Sequence, residues 1–226
     1  MMSTSVEHVL LLHGLGRDAS IMGKMALALQ RQGYHPHRLS YPSLKLSIPQ
    51  LARFIQEEWQ SLQAAFPGVW HFVGHSMGAI ILRQIMAWHP ELLQAKSRVL
   101  MLGPPNHGTE VVDFFSRYQW FLKIYGPAAL DLRTGPSNYL SQLPQRFDYA
   151  SLGVIAGNRS IDYLYSWFLL PGENDGKVTV SSTRLAGCDD HLVLPVPHPQ
   201  LPENPLVIDH CLHFLSRAEF SLPSIT

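Results

Sequence analysis

Short apolar runs alternate with segments of helical spacing along most of the chain, and each run closes on glycine, proline or a polar cluster. "VEHVLLLHG" (6–14) is rich in Val and Leu and breaks at Gly14, as a buried strand does. Residues 18–34 follow with Ile21, Met25 and Leu29 at helical spacing, Asp18 as N-cap and Gly33 as the stop. "HPHRLSYP" reads as a short second strand. Residues 47–68 read as a helix capped by Ser47, with Leu51, Phe54, Ile55, Trp59 and Leu62 on one face and Pro67-Gly68 at its end. The pattern continues through "VWHFVGHS", "MGAIILRQIMAWHP" and "SRVLMLGP". It lapses between 109 and about 150, then resumes at "LGVIAG", "HLVLPV" and a closing helix "NPLVIDHCLHFLSR". Such a chain buries its strands in a mostly parallel sheet with helices on both faces, joined by right-handed crossovers. In α/β sheets of this kind functional residues collect beyond the carboxyl ends of the strands. The polar clusters of this chain follow its strands.

One of those clusters is "GHSMG", residues 74–78, with a strand before it and a helix after. Turning sharply from strand into helix crowds the backbone, and only small residues fit on either side of Ser76. The turn leaves the serine hydroxyl at the tip, above a helix N-terminus whose unpaired N–H groups suit a developing oxyanion. The competing reading is a glycine-flanked serine in an ordinary tight turn. The two flanking elements favour a nucleophile.

With "HGLG" after the first strand, "GHSMG", "GPPNHGTE", "ENDGKVTV" and the late "LPVPH", the sequence resembles the α/β-hydrolase family, in its lipase and esterase branch. Several of these motifs are also similar to compact bacterial lipase-like proteins related to GPI inositol-deacylases. The resemblance covers nearly the whole chain. It implies an α/β-hydrolase fold reduced to about six strands, the chain starting near the third strand of the full family fold. It also implies the order nucleophile, acid, base.

A serine needs a general base, and the base needs an acid to hold its tautomer. The resemblance places the acid at Asp175 in the NDG turn, with Asp162 and Glu173 as rivals and an inert Asx-turn as the plain alternative. Four histidines follow Asp175. His210 and His213 fall inside the closing helix, and the orientation of His191 depends on strand register. His198 lies in the proline-bounded loop where the family carries its base. Pro199 departs from the small hydroxyl residue usual after that histidine. By the same resemblance the backbone N–H groups of Leu15 and Met77 form the oxyanion hole, with His13 supporting the loop.

Lys plus Arg equals Asp plus Glu, 17 each, so charge offers no argument for nucleic acid or an anionic membrane. Cys188 and Cys211 make no disulfide framework, no apolar run approaches a transmembrane length, and the N-terminus lacks a basic signal-peptide start. A cytoplasmic location is the expectation. Asp189, Asp190 and His191 are too few and too adjacent for a cation cage, and no metal or cofactor is expected.

Residues 1–226 read as one domain, with an insertion at about 109–150 whose Phe114, Phe115, Tyr118, Trp120, Phe121 and Tyr125 suit either a cap over an acyl pocket or a helix packed on the core. The second aromatic run, 162–172, suits an opposite wall or a hairpin, and either surface could touch lipid transiently. The expectation is a serine hydrolase acting on small or lipid-like carboxylic esters. An acyltransferase with the same triad and a non-catalytic binding protein on this fold are the alternatives.

Overall fold

The computed structural model describes residues 6–93, 96–147, 150–161 and 163–220, with the side chains of Leu92 and of 163–165 left out. Six strands form one sheet: β1 (Glu7–Leu12), β2 (His35–Leu39), β3 (Val69–His75), β4 (Arg98–Leu102), β5 (Ser151–Gly157) and β6 (Asp190–Leu194). Their order is β2-β1-β3-β4-β5-β6 and every pairing is parallel. The sheet expected to be mostly parallel is therefore wholly so.

The strands sort their side chains by alternation. Leu10, Leu12, Phe72, Met101 and Val154 face one core, together with α2 (Ile48–Ala65) and α3 (Met77–Trp88). Val9, Leu11, Val73, Leu100 and Ile155 face the other, together with α1 (Gly23–Arg31) and α9 (Pro205–Arg217). A period of two on strands and an apolar stripe on each helix thus produce three layers. Asp18 is a cap as expected, but of a 3-10 turn at Ala19–Met22, and α1 itself begins only at Gly23 without a side-chain cap. Asp18 accepts from the Ser20 N–H at 2.7 Å, and Gly33 takes a φ of 89° after α1. Asn204 caps α9 through the N–H groups of Leu206 and Val207.

No strand occurs among the described residues from 109 to 150. The segment instead forms α4 (Glu110–Phe115), α5 (Gln119–Tyr125), α6 (Ala128–Asp131) and a 3-10 turn at Leu140–Gln142. The second aromatic run contains α7 (Tyr163–Leu169), a helix and not a hairpin, and α8 (Val180–Thr183) follows the acid turn. α7 packs against α4.

The irregular base of the inserted segment is fixed to α3 by one side chain. Arg83 is fully buried and donates to the carbonyls of Asn106 (3.0 Å), Leu143 (2.9 Å), Leu140 (3.4 Å) and Pro144 (2.9 Å). Burial lowers its pKa to about 10, which leaves it charged at neutral pH.

His71 on β3 is buried beneath Tyr34 and accepts the Arg98 N–H on Nδ1 at 3.1 Å, so the ring is neutral with its proton on Nε2. Burial first, and then the Arg98 cation, lower its pKa to about 4; the Glu7 carboxylate, 3.8 Å away and partly exposed, does not offset this. The unfolded chain therefore binds more protons than the folded one between the ordinary histidine value and about 4, and stability falls as pH drops through that window. The urea midpoint is expected to fall from pH 7 to pH 5, and His71→Gln to flatten that slope; equal slopes would overturn this assignment.

Candidate active site

The turn from β3 into α3 is built on close backbone approach. Ser76 has φ 55° and ψ −124°, and only it and Ala218 take a positive φ among the described non-glycine residues. A Cβ on Gly74 would stand 2.6 Å from the backbone of Ala79, and one on Gly78 would stand 2.5 Å from the His13 carbonyl oxygen. Gly74 therefore admits the start of α3, whereas Gly78 admits the end of β1. Gly14 lets the following loop close onto the serine, since a Cβ there would lie 3.1 Å from Ser76 Cβ.

Ser76 Oγ donates to His198 Nε2 at 2.9 Å, and His198 Nδ1–H donates to Asp175 Oδ2 at 2.7 Å. Asp175 is buried, and its Oδ1 accepts the N–H groups of Lys177 (3.0 Å) and Val178 (2.8 Å). The Asx-turn geometry expected of the NDG motif is present, and it leaves the second oxygen for the histidine. The His198 N–H donates to the Asp175 carbonyl at 3.0 Å, locking the two loops together. Pro199 fits because it is the second residue of a 3-10 turn at His198–Gln200, where a missing N–H costs no helical bond.

The rival residues lie elsewhere. His191 hydrogen-bonds to Thr183 Oγ1 at 2.9 Å, His210 sits on α9 edge-on to Phe220, and His213 is a half-buried residue of the same helix. Glu173 is exposed, and Asp162 is outside the described residues. Asp189 and Asp190 accept the N–H groups of Leu152 and Phe220, so they close the ends of β5 and α9 through the backbone rather than merely facing solvent. Among the described residues no group of three or more His, Cys, Asp or Glu is placed to hold a metal.

Neither the Leu15 nor the Met77 N–H is spent on a backbone hydrogen bond among the described residues. Leu15 lines the cavity above Ser76, and the Met77 side chain is buried in the core behind it. His13 stacks on Tyr41 with centroids 3.9 Å apart and donates from Nδ1 to the Gly14 carbonyl at 2.9 Å, while the Tyr41 hydroxyl donates to the His13 carbonyl.

Two supporting residues escaped the sequence reading. His75 is buried, and its Nε2–H donates to the His198 carbonyl at 3.0 Å. Burial holds its pKa well below the ordinary value, with His198 and the Arg17 cation adding to this, so the ring stays a neutral donor. Gly103, at the end of β4 with φ 56°, leaves room for the pair: a Cβ there would lie 3.0 Å from His198 Nδ1 and 3.2 Å from Asp175 Oδ2. Its signals were its place directly after a strand and at the head of the GPPNHGTE motif.

The cavity has a volume of about 680 Å3, with Ser76 and His198 on its floor. Phe115, Trp120, Phe121 and Tyr125 line it, while Phe114 packs instead against Phe115 and Tyr118. Phe121 is itself buried, so the aromatics of the insertion serve both the cavity and the core.

This architecture, a strand-turn-helix serine hydrogen-bonded through histidine to an aspartate beyond the sheet edge, is that of one large family of enzymes. The chain belongs to the α/β-hydrolase family, whose profile matches residues 9–220. No curated protein matches the sequence. Among solved structures it is similar to the mature Bacillus licheniformis lipase BlEst2, at 21% identity over 94% of this chain and 93% of that one, with a TM-score of 0.78. A metagenomic carboxyl esterase, MGS0156, is 18% identical over 88% of this chain and 66% of its own, with a TM-score of 0.71. Phospholipase PlaB from Legionella pneumophila is 20% identical over 79% of this chain and 44% of its own, with a TM-score of 0.63. At these identities the likeness is one of fold. The finer kinship to GPI inositol-deacylase relatives rests on the motifs alone.

Gly103→Ala is expected to slow labelling of Ser76 by a fluorophosphonate by at least about tenfold, because the new methyl would stand 2.7 Å from Leu201 Cδ1 and 3.0 Å from His198 Nδ1 and crowd that loop. Gly33→Ala is the control: this glycine too has a positive φ, of 89°, but nothing lies within 4 Å of the new Cβ, and labelling should be unchanged. Equal labelling by both variants would show that crowding at His198 is irrelevant.

Proposed function

We propose that this α/β hydrolase cleaves carboxylic esters, acyl or lipid-like, through an acyl-enzyme formed on Ser76. The observation that carries the reading is the unbroken hydrogen-bond chain from Ser76 Oγ through His198 to Asp175 at the floor of an aromatic-walled cavity. Ser76 Oγ attacks the ester carbonyl while His198 Nε2 takes its proton. The N–H groups of Leu15 and Met77 receive the oxyanion, each donor being worth about 3 kcal/mol in the transition state. The proton passes from His198 to the leaving alcohol as the acyl–oxygen bond breaks. Water then enters, loses a proton to His198, and releases the acid from Ser76. Asp175 holds the imidazole with Nδ1–H towards itself and supports the charge that forms. Residues 109–150 serve as the cap of the acyl pocket.

Hydrolysis of p-nitrophenyl acetate, butyrate, octanoate and palmitate tests this. The wild type should hydrolyse the series with octanoate preferred over acetate, because the aromatic wall rewards added methylenes. Ser76→Ala should lower kcat by at least about 10^3-fold and Asp175→Asn by a comparable factor. No activity above Ser76→Ala on any ester would overturn the reading.

Contact with a lipid surface is favoured by a separate observation. Trp167 and Phe168 on α7 are 80% and 76% exposed and form an edge-on pair, and Ile161 and Trp120, both half exposed, line the cavity. No helix among the described residues is long and apolar enough to cross a membrane. A reversible surface attachment beside the cavity mouth fits these aromatics. Trp167→Ser with Phe168→Ser should weaken co-sedimentation with phosphatidylcholine vesicles by about tenfold or more. Unchanged binding, or none in the wild type, would remove the surface role.

A further inference from the structure

Among the described residues that line the cavity, those with a charged side chain of the Lys, Arg, Asp or Glu type are both cations. Arg17 and Lys177 line it, and no aspartate or glutamate does so among the described residues. They arrive from separate loops. Arg17 follows "HGLG" beyond β1, two residues after Leu15, and its own N–H is tied to the Gly14 carbonyl at 3.3 Å. Lys177 lies in the acid turn, with its N–H on Asp175 Oδ1 and its carbonyl accepting from Thr109 Oγ1 at 2.5 Å. In the strand order β1 lies on one side of β3, which carries Ser76, while β5 and the acid turn lie on the other. The two cations therefore flank the serine from opposite sides.

The aromatic and aliphatic wall, by contrast, comes from the inserted segment through Val112, Phe115, Phe121 and Leu132. Arg17 is exposed, forms no ion pair among the described residues, and its charge reaches the buried His75 ring beside the nucleophile. Its planar fork suits two phosphate oxygens, and a lysine adds a point charge. In a cavity walled by apolar groups such cations act through a lower dielectric than water and attract anions strongly.

We infer that the preferred esters carry a phosphate on their alcohol side: the acyl chain lies against the wall of the insertion, and Arg17 and Lys177 hold the phosphate beside Ser76. The inference rests on the esterase reading above and deepens it. The phosphate takes no part in bond making. The acyl–oxygen bond breaks, the alcohol departs with its phosphate intact and a proton from His198, and water later releases the fatty acid. The product is a phosphorylated alcohol, so the reaction that supplies the substrate must acylate such an alcohol or remove a first acyl chain from a diacylated one.

The test compares 1-decanoylglycerol 3-phosphate with 1-decanoylglycerol, which share the acyl chain and the scissile bond, both below their aggregation limits. The wild type should show a kcat/KM at least about tenfold higher for the phosphate ester, the size of one or two charge-assisted contacts. Raising the salt concentration should lower that ratio. Arg17→Gln and Lys177→Met should each lower the ratio several-fold, mainly through KM, and together bring it near one. A wild-type ratio of one or below, or a preference that survives both substitutions, overturns the inference while leaving the esterase reading intact. Failure to cleave either ester, with p-nitrophenyl esters equally inert, removes both.

Discussion

The left-handed backbone of Ser76 depends on three places where a side chain is missing. A non-glycine residue at positive φ is strained by about 1–2 kcal/mol and persists only where its surroundings hold it. The Ser76 N–H donates to the Leu102 carbonyl at 2.8 Å and its carbonyl accepts from Ala79, which fixes the turn from both ends. Those bonds form only because Gly74 lets the helix backbone in, Gly78 lets α3 lie on the end of β1, and Gly14 lets the next loop descend onto Ser76. The strain is thus imposed by the packing of β1, β3 and α3 together. A chain that relaxed Ser76 would have to separate the first two layers of the fold.

The same device operates on the other side of the sheet. Gly103 ends β4 where a side chain would collide with His198, and Gly157 ends β5 where a Cβ would meet Asp175 Cβ at 2.8 Å. The loops that carry Asp175 and His198 can therefore lie directly over the carboxyl ends of β4 and β5 and reach back to β3. His75 joins the two halves. Lying one residue before the serine, it holds the carbonyl of the histidine that faces that serine, and its neutral ring makes the bond insensitive to pH around neutrality. Ser76 and His198 are consequently positioned by one strand end.

How much of this was legible follows from how local each cause is. All six strands, α1, α2, α3 and α9 were readable because their period and stop signals lie within each segment: Asp18 and Gly33 act on their own neighbours. Ser76, Asp175 and His198 were reachable because the family order and the turn motifs restrict them to a few positions, and the structure brings those three within hydrogen-bond distance. His75 and Gly103 were not reachable, because each acts through a residue far away in the chain, His75 on the carbonyl of residue 198 and Gly103 on two loops at once. For the run at 162–172 the aromatic content suggested an opposite wall or a hairpin, and the helix went unread. Its packing against α4, a tertiary fact, accompanies the helix.

Arg83 shows the same limit most sharply, and it bears on the cavity wall. A cation on the core face of α3 has no meaning in a helical pattern, where that position calls for an apolar residue. Its partners are four carbonyls at 106, 140, 143 and 144; the one at 140 belongs to the 3-10 turn and also accepts the Leu143 N–H, while the other three lie in irregular backbone. Burying a guanidinium without a carboxylate is costly, and the cost is offset only while all those segments stay in place. The same helix that carries Ser76 at its start therefore holds the base of the segment whose aromatics wall the cavity, two turns further on. The aromatic wall and Ser76 are thus referred to one rigid element, so the separation of Phe115 and Phe121 from the serine is set by α3 and not by the conformation of a surface loop.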